Sequence, residues 1–338
     1  SSHRAVKPLR TPNLGVRSTP EEKLFQQVEI ILNRIFVCLA LALWSATAAL
    51  ADIRTDVRDL FATDLKTLDF ARVKIEVDRM IDPSIDVEAQ LAQIEQMVTS
   101  IETMLPPDAG SWAKIETLRR YIYQPGLWNG GDAFSYDHED PYGLEVHNKL
   151  LSDYIQDRRG NCITMPFLFI ILGQRLGLDV APAMAPLHVF VKFTDDAGKT
   201  WNLEATSGAG AARDQHYRDL LPITDEAVAN GVFLAPLTNE QSVAVIAAVV
   251  VEKLIAEGRY HDAMAVADIL IEHYPMFAYI MVKKATASYH LLRTEFYEKY
   301  PTAQDVPKDQ RPYLAYLQRV NQGMFDRAES LGWQALQR

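Results

Sequence analysis

Cys162, His188 and Glu204 stand in an order that suits thiol chemistry. Cys162 follows Arg158-Arg159-Gly160-Asn161 and opens an apolar run, Ile163 to Leu176, that reads as a buried helix stopping at Gly177. Gly160 suits a tight turn and Asn161 an N-cap, so the cysteine falls at a helix N-terminus, where free N–H groups and the helix dipole favour a thiolate. A free cysteine is otherwise an inert small hydrophobe. The residues downstream of the helix decide between the two. His188 heads a strand, Val189 to Phe193, and Asn202 and Glu204 lie on the next, Trp201 to Glu204. A thiolate attacks a carbonyl carbon, an imidazole carries the proton to the leaving amine, and a carboxylate or amide fixes the imidazole's tautomer and steadies its charge. These residues point to acyl transfer or hydrolysis at an amide or peptide bond, with no cofactor and a peptide or protein as substrate.

The elements that must bring them together are a hairpin and a loop. With the turn Asp195 to Lys199 centred on Asp196, Phe193 faces Lys199, Val191 faces Trp201 and His188 faces Glu204. The strand period of two then puts His188, Phe190, Asn202 and Glu204 on one side of the sheet. Direct opposition lets Glu204 reach the ring, while Asn202 lies diagonally and is the second candidate to orient it. Upstream, Asn129-Gly130-Gly131 and Tyr136 to Gly143 form a long polar and aromatic loop. It leads through an expected helix, Leu144 to Ile155, into the cysteine turn. Loops of this length inside a domain usually bind something. Trp128, Tyr136 and Tyr142 are therefore expected to line the approach to Cys162, with Asn161 and Asn202 as polar substrate contacts. His138 and its acidic neighbours do not make a metal site, because adjacent residues on an extended loop cannot all face one ion.

The remaining chain is mostly helical in pattern. Val87, Leu91, Ile94, Met97, Val98, Ile101 and Leu105 recur at three- and four-residue spacing, and Ile115, Leu118, Tyr121 and Ile122 mark another helix. From Asn239 onward, Val249, Leu254, Gly258, Tyr260, Ala263, Ala267, Leu270, Tyr274 and Pro275 fall in the order of a TPR unit, followed by a helix from Phe277 to Leu292 and a helix or pair from Tyr313 to Leu331. A net charge of −10 argues against a nucleic-acid partner. Ile35 to Ala51 is apolar, short for a membrane span, and ends in Ala49-Leu50-Ala51, so it reads as a signal peptide for a periplasmic or secreted protein, with an uncleaved membrane anchor as the alternative. Residues 1–33 exceed the basic head of such a peptide, which places the expected true start near Leu32. After cleavage Cys162 is the one cysteine left, so no internal disulfide forms.

Arg159-Gly160-Asn161-Cys162, Leu176-Gly177-Leu178, Pro186-Leu187-His188-Val189-Phe190 and Asn202-Leu203-Glu204-Ala205-Thr206 together resemble the bacterial transglutaminase-like proteins that carry a TPR-like tail. The resemblance covers about residues 85–338. It implies an α+β, papain-like core with Cys162 as nucleophile and His188 as base. Glu204 stands where that family usually has Asp. The expected organisation is a transglutaminase-like domain with leading helices over 52–235 and a TPR-like helical domain over 236–338. Two functions fit: an exported cysteine enzyme, or an inert domain of this type whose helical tail binds a protein partner.

Overall fold

The computed structural model describes residues 53–62, 64–141 and 143–335, so the apolar run Ile35 to Ala51 and Tyr142 lie outside the described residues. A helix over 53–61 (α1) begins the described chain. Carboxylates set the next two starts. Asp69 accepts from the N–H groups of Ala71 and Arg72 at the head of α2 (Phe70–Ile81), and Asp86 accepts from Ala89 at the head of α3 (Val87–Glu102). α4 (Ser111–Tyr123) comes next, burying Ile115, Leu118, Tyr121 and Ile122 as their spacing predicts.

α6 (Thr164–Arg175) is apolar on all sides because it has neighbours on all sides: ten of its twelve residues are buried, against α2, α3, α4 and the sheet. Gly177 ends it at φ +70°. The sheet is antiparallel in chain order, β3 (Asp179–Ala185), β4 (His188–Thr194), β5 (Thr200–Glu204) and β6 (Gly210–Ala212). β3 is concealed in the sequence by Pro182, which an edge strand tolerates. Here the expected register is corrected. Asp195 N–H donates to Lys199 O, Gly198 N–H donates to Asp195 O, and Gly198 takes φ +77°. This is a three-residue loop ending on a left-handed glycine. It centres the hairpin on Ala197, so Phe193 pairs with Trp201, Lys192 with Asn202 and Val191 with Leu203. Partners move by two residues, which leaves every side chain on its expected side of the sheet.

The expected helix from Leu144 to Ile155 is also shorter than its pattern. Only α5 (Leu151–Asp157) is α-helical, preceded by a single 3₁₀ turn, His147–Lys149. The residues before it are tied by polar bonds instead. Asn148 Nδ2 donates to Asp137 and Asp140, and Asp140 accepts from the N–H groups of Leu144 and Glu145. α5 is docked by a fully buried pair: Asp78 accepts from Leu151 N–H at 2.6 Å and holds the Lys74 ammonium, which also donates to Lys149 O at 2.8 Å. These extra bonds meet the desolvation cost of two buried charges.

Downstream, α7 (Asp214–Leu220) and α8 (Asp225–Ala229) lead to α9 (Asn239–Ala256), which starts with a Thr238/Gln241 capping box. α10 (Tyr260–His273), α11 (Ala278–Leu291) and α12 (Arg311–Ser330) come after it, each packed on the one before, and Tyr313 to Leu331 is covered by the single helix α12 rather than a pair. α9 also packs on α2, so the last helices are joined to the core within one compact unit that begins at Ile53. Among the described residues no helix is long and apolar enough to cross a membrane.

Candidate active site

Asn161 builds the turn that carries Cys162. Its Oδ1 accepts from the N–H groups of Ile163 at 2.8 Å and Thr164 at 3.3 Å, and its carbonyl accepts from Met165 N–H at 3.1 Å. Asn161 thus caps the turn that precedes α6, whose own N-cap is Ile163, and Cys162 lies in that turn. Gly160 serves a different purpose from the expected one. It has no positive φ, a conformation found instead at Arg158 (φ 63°), but a Cβ on it would stand 2.5 Å from Thr164 Oγ1 and 2.6 Å from the Tyr154 ring. The glycine provides space. That space is filled by Thr164 and Tyr154, while β1 (Ser135–Tyr136) pairs in parallel with β2 (Arg159–Gly160) and brings Tyr136 beside the cysteine turn.

The β3–β4 turn, Pro186-Leu187, holds Leu187 at φ 54° and points its carbonyl at Cys162, 3.5 Å from Sγ. His188 is the next residue. Its Nε2 meets Glu204 Oε2 at 2.8 Å, which leaves Nδ1 as the ring nitrogen available to the thiol. Extending the hairpin register puts Glu204 across from Phe190, so it reaches His188 diagonally rather than head-on. The longer Glu side chain spans that offset. Glu204 has little freedom: Oε1 accepts from Thr206 N–H at 3.1 Å and from Thr206 Oγ1 at 2.5 Å, and Oε2 also accepts the Tyr217 hydroxyl at 3.1 Å. Tyr217 is itself stacked on Phe190, ring centres 4.2 Å apart.

Burial pulls His188 toward the neutral form, but hydrogen bonds and charge from Cys162 and Glu204 outweigh it and hold the imidazolium up to about 9. Burial pushes Glu204 upward, and its bonds to His188 and Thr206 overcome that, leaving the carboxyl below its ordinary value. The pair is therefore charged at neutral pH.

Cys162, His188 and Asn161 open onto a cavity of about 200 Å³, whose far wall is formed by Val245, Ala248, Val249 and Glu252 of α9 and by Tyr279 and Lys283 of α11. Asn161 is fully buried, and because its Oδ1 is committed to two backbone donors the amide orientation is fixed. Its Nδ2 has no hydrogen-bond partner among the described residues. Tyr136 comes within electrostatic reach of Cys162: burial first, then the charges of Cys162, Asp140 and Asp137, push its hydroxyl upward.

Three expected residues stand outside the cavity wall, and Tyr136, though beside the cysteine turn, is one of them. Asn202 Nδ2 donates to Asp214 at 2.7 Å, across the sheet from Lys192, and does not line the cavity. Trp128 lies under the Arg120 guanidinium, 4.3 Å from its ring centre, and is likewise absent from the cavity wall. Thr206 and Tyr217 are further partners of the site that the sequence pattern did not single out. A Glu-x-Thr step with local side-chain-to-backbone bonding is a readable signal for the first. Tyr217 and the α9 and α11 wall arrive by long-range packing and leave no local trace.

Among curated proteins, none matches the chain. Residues 88–247, a span running from α3 into α9 and containing Cys162, His188 and Glu204, match the family model described as the transglutaminase-like superfamily. Over these residues the mixed helices and small antiparallel sheet are consistent with a transglutaminase-like core, the superfamily that the match supports.

Proposed function

We propose that this chain is a cofactor-independent cysteine enzyme that opens amide or peptide bonds, with Cys162 as nucleophile, His188 as acid and base, and Glu204 as the residue that orients and charges the imidazole. What carries the proposal is the 2.8 Å bond from His188 Nε2 to a carboxylate that is pinned by Thr206 and Tyr217, with the opposite ring nitrogen left for Cys162.

In the proposed reaction the Cys162 thiolate forms a bond to the carbonyl carbon and the carbonyl π pair moves onto oxygen. Asn161 Nδ2 and the backbone N–H of Cys162, the donors that the turn itself does not use, stabilise that oxyanion. As the pair returns, the C–N bond breaks and His188 Nδ1–H protonates the leaving nitrogen. Water or an amine then adds to the thioester, gives its proton to His188 and expels the thiolate. Glu204 keeps its charge throughout and stabilises the imidazolium.

The test is alkylation of Cys162 by iodoacetamide, located by peptide mapping. The folded protein is expected to react faster than the urea-unfolded chain, and His188→Ala to slow the folded protein by roughly tenfold or more, the scale of removing a proton-transfer partner. Labelling that requires unfolding would instead leave an interaction protein with an inert domain.

A further inference from the structure

Among the described residues, the cavity beside Cys162 holds one lysine ammonium that no carboxylate touches. Lys74, Lys149, Lys192 and Lys284 are nearly or fully buried, and each holds a carboxylate. Lys283, on α11, does not. Its ammonium lies 5.0 Å from the centre of the Tyr279 ring and has no ion pair or hydrogen bond among the described residues. Glu252, the acid in the same wall, is already occupied by the Lys149 ammonium and the Tyr279 hydroxyl. Its charge reaches Lys283 only at longer range: burial pushes the Lys283 ammonium down, Glu252 lifts it and Lys149 lowers it further. The rest of the wall is largely apolar, with Leu144, Ile163, Met184, Val245 and Val249. Half-burying an unpaired cation against such a wall is costly unless an anion arrives to meet it. A second cavity of about 310 Å³ shares Leu187, Tyr279 and Lys283 as walls, so Lys283 stands between the two spaces. The first cavity, at about 200 Å³, is smaller than the roughly 300–1,000 Å³ of drug-sized sites and suits a group the size of one amino-acid residue.

We propose that Lys283 holds a carboxylate of the substrate, on the residue adjoining the amide that Cys162 attacks. This rests on the enzymatic reading above and deepens it. The substrate class is an acylated amino acid or peptide with an aliphatic body and an anionic group next to the scissile bond. The carboxylate comes either from a free C-terminus or from an acidic side chain, and both present the same chemistry to Lys283.

Three small competitors separate these cases by how well they protect Cys162 from iodoacetamide. N-acetyl-L-leucine offers a terminal carboxylate, N-acetyl-L-glutamic acid α-amide a side-chain carboxylate, and N-acetyl-L-leucinamide neither. Protection is scored as the ratio of rates with and without competitor in the same variant, so a change in the bare rate cancels. At least one of the two acids is expected to protect, and the one that does identifies the source. The neutral amide is expected not to protect. Lys283→Met should weaken protection roughly tenfold, the scale of one charged hydrogen-bond partner, and Lys283→Arg should restore it. Protection by the amide equal to that by the acids, failure of both acids, or undiminished protection in Lys283→Met would overturn the proposal. The enzymatic reading is judged separately, by the dependence of the unprotected rate on His188.

Discussion

At the scale of single residues, Glu204 is set apart from Asn202 by what each touches. Glu204 bonds His188, Thr206 and Tyr217, whereas Asn202 bonds Asp214. Glu204→Gln keeps an acceptor for the ring but removes the charge. The His188 titration followed by NMR should then fall from about 9 toward its ordinary 6.5, and iodoacetamide labelling of Cys162 should slow roughly tenfold, matching the loss of about 1.5 kcal/mol from one charge-assisted bond. Asn202→Ala should leave the labelling rate nearly unchanged. The reverse result would assign the orienting role to the amide. Stability carries the same signature. Since His188 is raised on folding, its contribution is fully present below 6.5 and is lost as pH rises through about 9. Urea unfolding across that window should show the decline, and Glu204→Gln should flatten it. The cysteine, histidine and glutamate were legible because their order along the chain is itself chemical information. Their geometry was less so, because the hairpin centre depended on whether Asp196 or Ala197 sat at its tip.

At the scale of elements, the site depends on a short parallel pairing that periodicity cannot reveal. β1 and β2 are two residues each, and Gly160 of β2 has no side chain at the point where Thr164 and Tyr154 pack closely against it. Gly160→Ala should therefore cost about 1–3 kcal/mol in chemical denaturation, as overpacking does, and should displace Tyr136 from the cysteine turn. A variant as stable as the parent, with the Tyr136 ring signals unaltered in NMR, would contradict this. The long amphipathic runs of α3 and α4 and the apolar run of α6 were readable from spacing and composition. The loop from Asp137 to Asn148 was not, because it is held by side-chain bonds between Asp140, Asn148 and Asp137 rather than by a repeating pattern.

At the scale of the whole molecule, the last helices complete the cavity rather than trailing from it. α9 packs on α2 and supplies Val245, Ala248, Val249 and Glu252 to the wall opposite Cys162, and α11 adds Tyr279 and Lys283. The helix–Gly258–helix order was visible in the sequence, but a contact between α2 and α9 spans about half of the chain and has no local signature. A chain ending at residue 235 loses this packing and should fail to give a cooperative thermal transition. If that fragment melted like the full chain and kept fast Cys162 labelling, α9 would be dispensable to the core.

The most direct test of the central claim is trapping of the acyl-enzyme. Incubated with p-nitrophenyl acetate and examined by mass spectrometry, the folded protein should gain one acetyl group, mapped to Cys162 as a thioester sensitive to hydroxylamine. Cys162→Ser should gain none at that peptide, and His188→Ala should acquire it far more slowly. Acetylation no faster in the folded protein than in the unfolded chain, or equally fast in His188→Ala, would contradict the assignment of Cys162 and His188 as an acyl-transfer pair.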